Sequence, residues 1–371
     1  MSRRHDVVVV GGGPAGAAFA TLLAKAGRDV VLVEREARAH DKVCGEFLSH
    51  EALSYLKALG VDPYALGAVP IRQVVLARGR ISVVRKLPFE AASLSRRALD
   101  EALLRRAAEA GAAVLRGRAV RELARTADGW TARLQDGESL LADAAALACG
   151  KHDLREHVRP AGIQNDLIGL KAHFRLAEAG SDRLRETVMI GLFPGGYAGL
   201  EPIEDERANL CLLVRGDAFA ALGRAWPVLL ETVLKSAPDI GAVLKGAVQL
   251  HQRPLAVARI PFGLVTAESP DGCWRLGDQA AVIPSFAGEG MSLALHSARL
   301  AAEAMLHGRP AAMYQARFAA DVGARVRVAA WLSKAATATP AQALAALLCR
   351  TFPSTLSALA AATRIPSGAL R

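Results

Sequence analysis

Residues 42–49 read KVCGEFLS and set a thiol, a glycine and a carboxylate in direct succession. Cys44 could give or orient a proton and Glu46 could hold one. Gly45 would let the backbone approach a flat ligand closely. A second acid, Glu289, stands between glycines in Gly288-Glu289-Gly290, far along the chain. Cys44, Glu46 and Glu289 are therefore the candidate catalytic residues, for proton transfer beside a bound group. The competing expectation is that Cys44 is a small buried residue at a turn, the commoner fate of a free cysteine.

The elements that must position these residues begin at the N-terminus. In DVVVVGGGPAGAAFATLLAKAGRDVVLVERE, Val7 to Val10 are β-branched and apolar, as a buried parallel strand requires. Gly11 permits a tight turn, Gly13 lets the backbone approach a pyrophosphate, and Gly16 lets the following helix pack on the strand. Pro14 and Ala15 complete G-x-G-x-x-G. A helix over Ala17–Ala26 would then aim its N-terminal N–H groups at phosphates. Asp29 to Val33 form a second strand, and Glu34 at its end would accept from an adenosine ribose. An acid there suits FAD or NAD and disfavours a 2′-phosphate.

The choice between FAD and NAD turns on the segment CWRLGDQAAVIPSFAGEGMSLALHSARLAAEAML, residues 273–306. A strand over Cys273–Leu276 leads to Gly277-Asp278. Pro284, Gly288 and Gly290 follow, and a helix starts near Met291. These motifs, in this order, resemble the FAD-dependent superfamily of aromatic hydroxylases, flavin-dependent halogenases and geranylgeranyl reductases, over residues 5 to 310. The resemblance implies an α/β fold: a Rossmann-type FAD-binding domain of the glutathione-reductase-like, hydroxylase-branch kind, an antiparallel-sheet substrate layer and a C-terminal helical segment. It implies that Gly277 and Asp278 bind ribitol and pyrophosphate, and that Pro284, Gly288, Gly290 and Met291 cover the flavin ring. Arg96 and Asp100 fit an R-x-x-[LF]-D helix in which Arg96 reaches the pyrophosphate, and Val120 takes the position whose backbone touches adenine. Arg35, Lys42, Cys44, Gly45 and Gly150 complete the expected cofactor contacts, with Glu46 as an FAD-loop or gate contact.

Two departures shape the expected reaction. Cys149 precedes Gly150 where hydroxylases carry aspartate, which tells against their direct use of NADPH. The Cys-Gly of VCG is similar to geranylgeranyl reductases and the Gly-Glu to many halogenases, but the halogenase tryptophan-x-tryptophan-x-isoleucine-proline motif is lacking. The resemblance is thus closest to the geranylgeranyl reductase-like branch. The expected activity is hydride transfer from reduced FAD to a carbon–carbon double bond of an apolar, lipid-like or secondary-metabolite substrate. The alternative is a monooxygenase that hydroxylates or epoxidises an apolar or aromatic substrate through a flavin C4a-hydroperoxide. A halogenase or a non-catalytic lipid-binding relative ranks below both. The reductant would be NAD(P)H or an electron-donor protein.

The expected domains are an FAD-binding domain over 1–70, 95–159 and 271–310, a substrate layer over 71–94 and 160–270, and a helical cap over 311–371. In LIGLKAHFRL, Ile168, Leu170, Ala172, Phe174 and Leu176 share one face, and Lys171, His173 and Arg175 share a face expected to be polar and solvated, in preference to His173 serving as a catalytic base that faces a pocket. Short strands around 71–90 would join this layer, and Phe193, Tyr197 and Phe286 could line its pocket. Breaks are expected at Pro353 and Pro366. The 371 residues, 52% hydrophobic and 22% charged, have the composition of a globular protein. The net charge of +10 comes from scattered arginines, so no nucleic-acid partner is expected. The five cysteines include no C-x-x-C, so neither a disulfide framework nor any metal site is expected, and the chain reads as cytoplasmic. The apolar run Val7–Ala24 is broken by GGGPAG and reads as neither signal peptide nor membrane span. The interrupted tail leaves peripheral membrane contact unsupported.

Overall fold

A computed structural model describes residues 4–352, 354–355 and 364–365; Pro353 and Pro366 lie outside them. Among the described residues, two sheets are formed. In the first, Arg4–Val10 lies between Val30–Glu34 and Ser139–Leu147, parallel to both, with Ala113–Arg116 and Trp274–Arg275 parallel at the flanks. The ribbon Val120–Thr126 and Gly129–Leu134 extends it antiparallel. The valine run is explained by burial on both faces. Val7 and Val9 enter the core shared with the helices Pro14–Lys25, Arg96–Glu109 and Gly290–Leu306, whereas Val8 and Val10 pack against Leu123 and Trp130 of the ribbon.

The second sheet is largely antiparallel and centres on Leu167–Arg175, Arg207–Arg215, Gly196–Ile203 and Thr187–Phe193. Val69–Arg78 joins it parallel to Thr187–Phe193, followed by Ile81–Ser93 and the short strand Phe47–Leu48. Helices Trp226–Ser236 and Pro238–Leu244 cover one face, where Leu170, Ala172 and Phe174 are buried. Phe47–Leu48 follows directly on Cys44-Gly45-Glu46, so this sheet holds one end of that turn.

Several expectations change in detail. The first helix begins at Pro14, whose fixed φ suits the first turn. The strands near 71–90 are long, at ten and thirteen residues. The strand before Gly277 shrinks to Trp274–Arg275. The solvated face of LIGLKAHFRL is corrected: Lys171 and His173 are each 1% exposed, and only Arg175 reaches water. Strand periodicity separates two faces but does not say what covers the second, and here residues 41–46 do. Phe193 is buried in the core under the helices, while Tyr197 meets Phe286 edge-on at 5.6 Å. Helices Ala311–Thr337 and Thr339–Thr351 complete the chain's described body. No helix among the described residues is long and apolar enough to cross a membrane.

Candidate active site

The glycine turn after the first strand fits the space it occupies. A Cβ on Gly11 would stand 2.5 Å from the Ala148 carbonyl oxygen, and one on Gly16 would stand 1.9 Å from the Gly11 oxygen. Side chains are thus excluded by backbone at both positions. Gly13 caps the helix Pro14–Lys25 with no side-chain hydrogen bond, which leaves the first-turn N–H groups free for an anion. Glu34 is buried; one carboxylate oxygen accepts from Gly12 N at 2.8 Å and the other from Glu36 N at 3.0 Å. The Arg118 amide donates to the Glu34 carbonyl, which sets Val120 close by at the start of its strand.

Arg96 points at this turn, with Nη2 3.4 Å from where a Gly13 Cβ would be. Asp100 holds its guanidinium through two bonds of 2.8 and 2.9 Å and also accepts from Lys42 at 2.9 Å. Burial alone would raise the Asp100 carboxyl, but Arg96 and Lys42 hold it below its ordinary value. Arg35 pairs with Glu36 at 3.2 Å and meets His152 at 3.0 Å.

The distant motifs converge on the same edge. A Cβ on Gly277 would lie 3.1 Å from Ala15 Cβ, so Gly277-Asp278 packs on the first helix. Gly277 N donates to Ser297 Oγ at 2.8 Å, and the Asp278 carbonyl accepts from Arg159. Pro284 and Met291 are buried. Gly288, at φ 70°, lies over Phe47, whose ring would be 2.7 Å from a Cβ there. The KVCGEFLS turn and the Gly288–Gly290 loop are therefore neighbours. Cβ atoms on Gly45, Gly150 or Gly290 would meet no protein atom within 4 Å. This glycine-lined, side-chain-free edge, next to free helix N–H groups, fits FAD. Cys149 lies against the Gly11 turn, and burial pushes its thiol up to about 11.

The Cys44 turn is fastened from beneath. Asn209 Nδ2 donates to the carbonyls of Cys44 and Gly45, each at 3.1 Å, and Lys151 donates to the Val43 carbonyl at 2.7 Å. Glu46, at φ 61°, is fully buried. One carboxylate oxygen accepts from Arg96 N at 2.7 Å and from Lys171 Nζ, and the other accepts from His173 Nε2–H at 3.0 Å. Burial would raise this carboxyl, yet Lys171 and then His173 hold it low and ionised. For Arg96, burial acts downward, while Asp100 and then Cys44 raise it, so the Cys44 sulfur lies within its field.

Burial raises two further carboxyls. Glu289 stands at the N-cap position of the helix Gly290–Leu306 without a side-chain capping bond and is 2% exposed; burial, then Glu51, push it up to about 8. Ser49 Oγ lies 3.4 Å from it and 2.6 Å from Ser292 Oγ. Glu201 is raised well above its ordinary value by burial, then by Glu46 and Cys44, and its Oε1 has no hydrogen-bond partner. Lys171, Asn209 and Glu201 are the members of the site that sequence reasoning missed, and His173 is one that it weighed but assigned to a solvated face. The strand alternation was visible, and the signal in it was Gly169 on the face of Lys171 and His173, where a covering layer can come close: a Cβ there would stand 3.2 Å from Val43 Cγ1.

Residues 4–184 match the family described as FAD binding domain. A curated relative, the menaquinone reductase of Mycolicibacterium smegmatis, is 29% identical over 325 residues, covering 83% of this chain and 78% of that protein. Digeranylgeranylglycerophospholipid reductase 2 of Methanopyrus kandleri is 28% identical over 324 residues, with coverage of 80% and 76%. Among solved structures, the flavin-dependent brominase Bmp2 superposes with a TM-score of 0.80 at 17% identity, covering 100% of this chain and 96% of the other. PqsL of Pseudomonas aeruginosa, described as a probable FAD-dependent monooxygenase, superposes at 0.74 and 18%, with coverage of 90% and 96%. At these identities the structural matches speak for the fold.

Proposed function

We propose that the chain is an FAD-dependent oxidoreductase that reduces a carbon–carbon double bond of an apolar, polyprenyl-bearing lipid. The single observation that carries this reading is a buried acid, Glu201, whose Oε1 is unpartnered and whose carboxyl burial, then the charges of Glu46 and Cys44, raise well above its ordinary value. Reduction of a double bond needs a hydride and a proton. FAD, when bound and reduced, supplies the hydride. The protein's part is to bind, to orient and to deliver the proton.

Gly11, Gly13, Pro14, Ala15 and Gly16 would hold the pyrophosphate, with Arg96 beside it and Lys42 tied to Arg96 through Asp100. Glu34 would take the ribose, Val120 the adenine, and Arg35 the adenosine side. Gly45, Gly150, Gly277, Asp278, Pro284, Gly288, Gly290 and Met291 would frame ribitol and ring. Cys44 would hand the proton to the substrate carbon, with Glu201 as the reservoir behind it. Glu46 would act as a positioning residue: both its oxygens are engaged, and it ties the turn to the sheet. Glu289, neutral below about pH 8, would keep a negative charge from forming at the ring edge. The names of the two reductases support the substrate class, because menaquinone and digeranylgeranylglycerophospholipid both carry polyprenyl chains. Exposed Trp331, Leu344, Leu347 and Phe352 on the last helices suit an apolar substrate. Electrons would come from NAD(P)H or a donor protein.

The test uses the FAD-loaded protein, reduced anaerobically with dithionite and mixed with a geranylgeranyl-bearing lipid. Mass spectrometry should find product with two added hydrogens. Product that forms only after oxygen is admitted, and that carries an added oxygen atom, would overturn the reductase in favour of the monooxygenase.

A further inference from the structure

Behind the Cys44 turn, three side chains far apart in sequence meet. Asp41 lies on the loop before the turn, His173 on the strand Leu167–Arg175, and His251 on the bend after Val248–Gln249. Each can aim one donor atom at a common point, and these atoms all lie within 4.8 Å of one another. Asp41 Oδ2 is 3.8 Å from His173 Nδ1 and 3.6 Å from His251 Nε2. A tetrahedral cation with bonds of about 2.0–2.2 Å sets its donors roughly 3.3–3.5 Å apart. The observed spacing is within a few tenths of an ångström of that on two edges.

We propose that Asp41, His173 and His251 form a binding site for a divalent cation of the zinc class. The hydrogen bonding explains why a cation is wanted there. His173 Nε2–H donates to Glu46 at 3.0 Å, so in the neutral ring Nδ1 carries a lone pair. That lone pair faces an Asp41 carboxylate oxygen, and two acceptors face each other unless a positive charge lies between them. Asp41 Oδ1 is itself buried with no hydrogen-bond partner. Glu46 stands behind His173 as the outer carboxylate that fixes tautomer and ring orientation in metal-bound histidines. Two imidazoles and one carboxylate suit zinc better than magnesium or calcium, which take oxygen sets. His251, whose side chain is 52% exposed, leaves the fourth position to water and gives an entry path. The cation would staple the 41–46 loop and the 251 bend to one strand. The site adjoins the proposed reaction through the His173–Glu46 bond, but no proton or hydride step passes through it.

The experiment uses untagged, FAD-loaded protein stripped with chelator and titrated with zinc by calorimetry, alongside melting curves. One zinc per chain should bind, and the melting temperature should rise. His251→Ala, at an exposed position, should weaken binding by at least about tenfold while leaving FAD content and the metal-free melting curve unchanged. Asp41→Asn should weaken it likewise. Uptake well below one zinc per chain by the parent protein, or equal affinity in His251→Ala, would show that a proton on His173 fills the gap and would overturn the proposal.

Discussion

At the scale of single residues, Glu46 carries more of the site than its position between two chemically eye-catching neighbours suggests. It adopts a left-handed backbone conformation, at a cost of order 1 kcal/mol for a non-glycine residue, and offsets it by pairing with Lys171, His173 and the Arg96 amide. Glu46→Ala would leave the Lys171 ammonium buried without its counter-charge and the His173 Nε2–H without its acceptor. A loss of about 3–5 kcal/mol in unfolding free energy is expected, measured by denaturant titration. Cys44→Ala should behave oppositely: stability and FAD content hold, and turnover of the polyprenyl substrate falls by about tenfold or more. An unchanged rate returns Cys44 to the role of a small residue at a turn. The thiol and the two acids of the short motifs were legible in the sequence. Glu201 was not, because its raised value arises from burial and from Glu46 and Cys44, which a distant turn brings to it.

At the scale of elements, glycines divide into those that face protein and those that face open space. Gly16→Ala would drive a Cβ to within 1.9 Å of the Gly11 oxygen, so the first helix cannot keep its seat on the strand. That variant should lose both FAD and soluble yield. Gly45→Ala meets no protein atom within 4 Å and should leave the melting curve of the FAD-free protein unchanged. It should nevertheless raise the FAD dissociation constant by about tenfold, read by fluorescence titration, since the open space is where the ring is proposed to lie. The strand-turn-helix unit was legible because its parts are local: β-branched run, glycine turn, small-residue helix, acid. The covered face of Leu167–Arg175 was not, because alternation reports that a strand has two faces and is silent on which one meets water.

At the scale of the whole molecule, Glu289 links stability to pH. Its folded value of about 8 lies above the ordinary 4.5. Below about pH 4.5 the carboxyl is protonated in both states. Between about 4.5 and 8 the folded protein keeps a proton that the unfolded chain releases, so this residue's contribution falls as pH rises and levels off above 8. The slope is at most about 1.4 kcal/mol per pH unit across that window. Glu289→Gln should flatten the slope by this residue's share and leave that of Glu201, as seen by comparing unfolding free energies at pH 5.5 and roughly 8 for both proteins. A parent and variant with parallel profiles would mean that the carboxyl is ionised throughout.

The sequence by itself determined the cofactor class and the order of the parts that hold it. These are local choices of backbone freedom, strand propensity and helix start, and each is written within a few residues. Tertiary structure alone decided which distant segments become neighbours. It brought Gly288 onto Phe47, set Ala15 under Gly277, and turned a supposed solvent face into the buried Lys171–Glu46–His173 cluster. Such a cluster depends on what desolvates each charge and what compensates it, and both come from chain segments that spacing along the sequence does not connect.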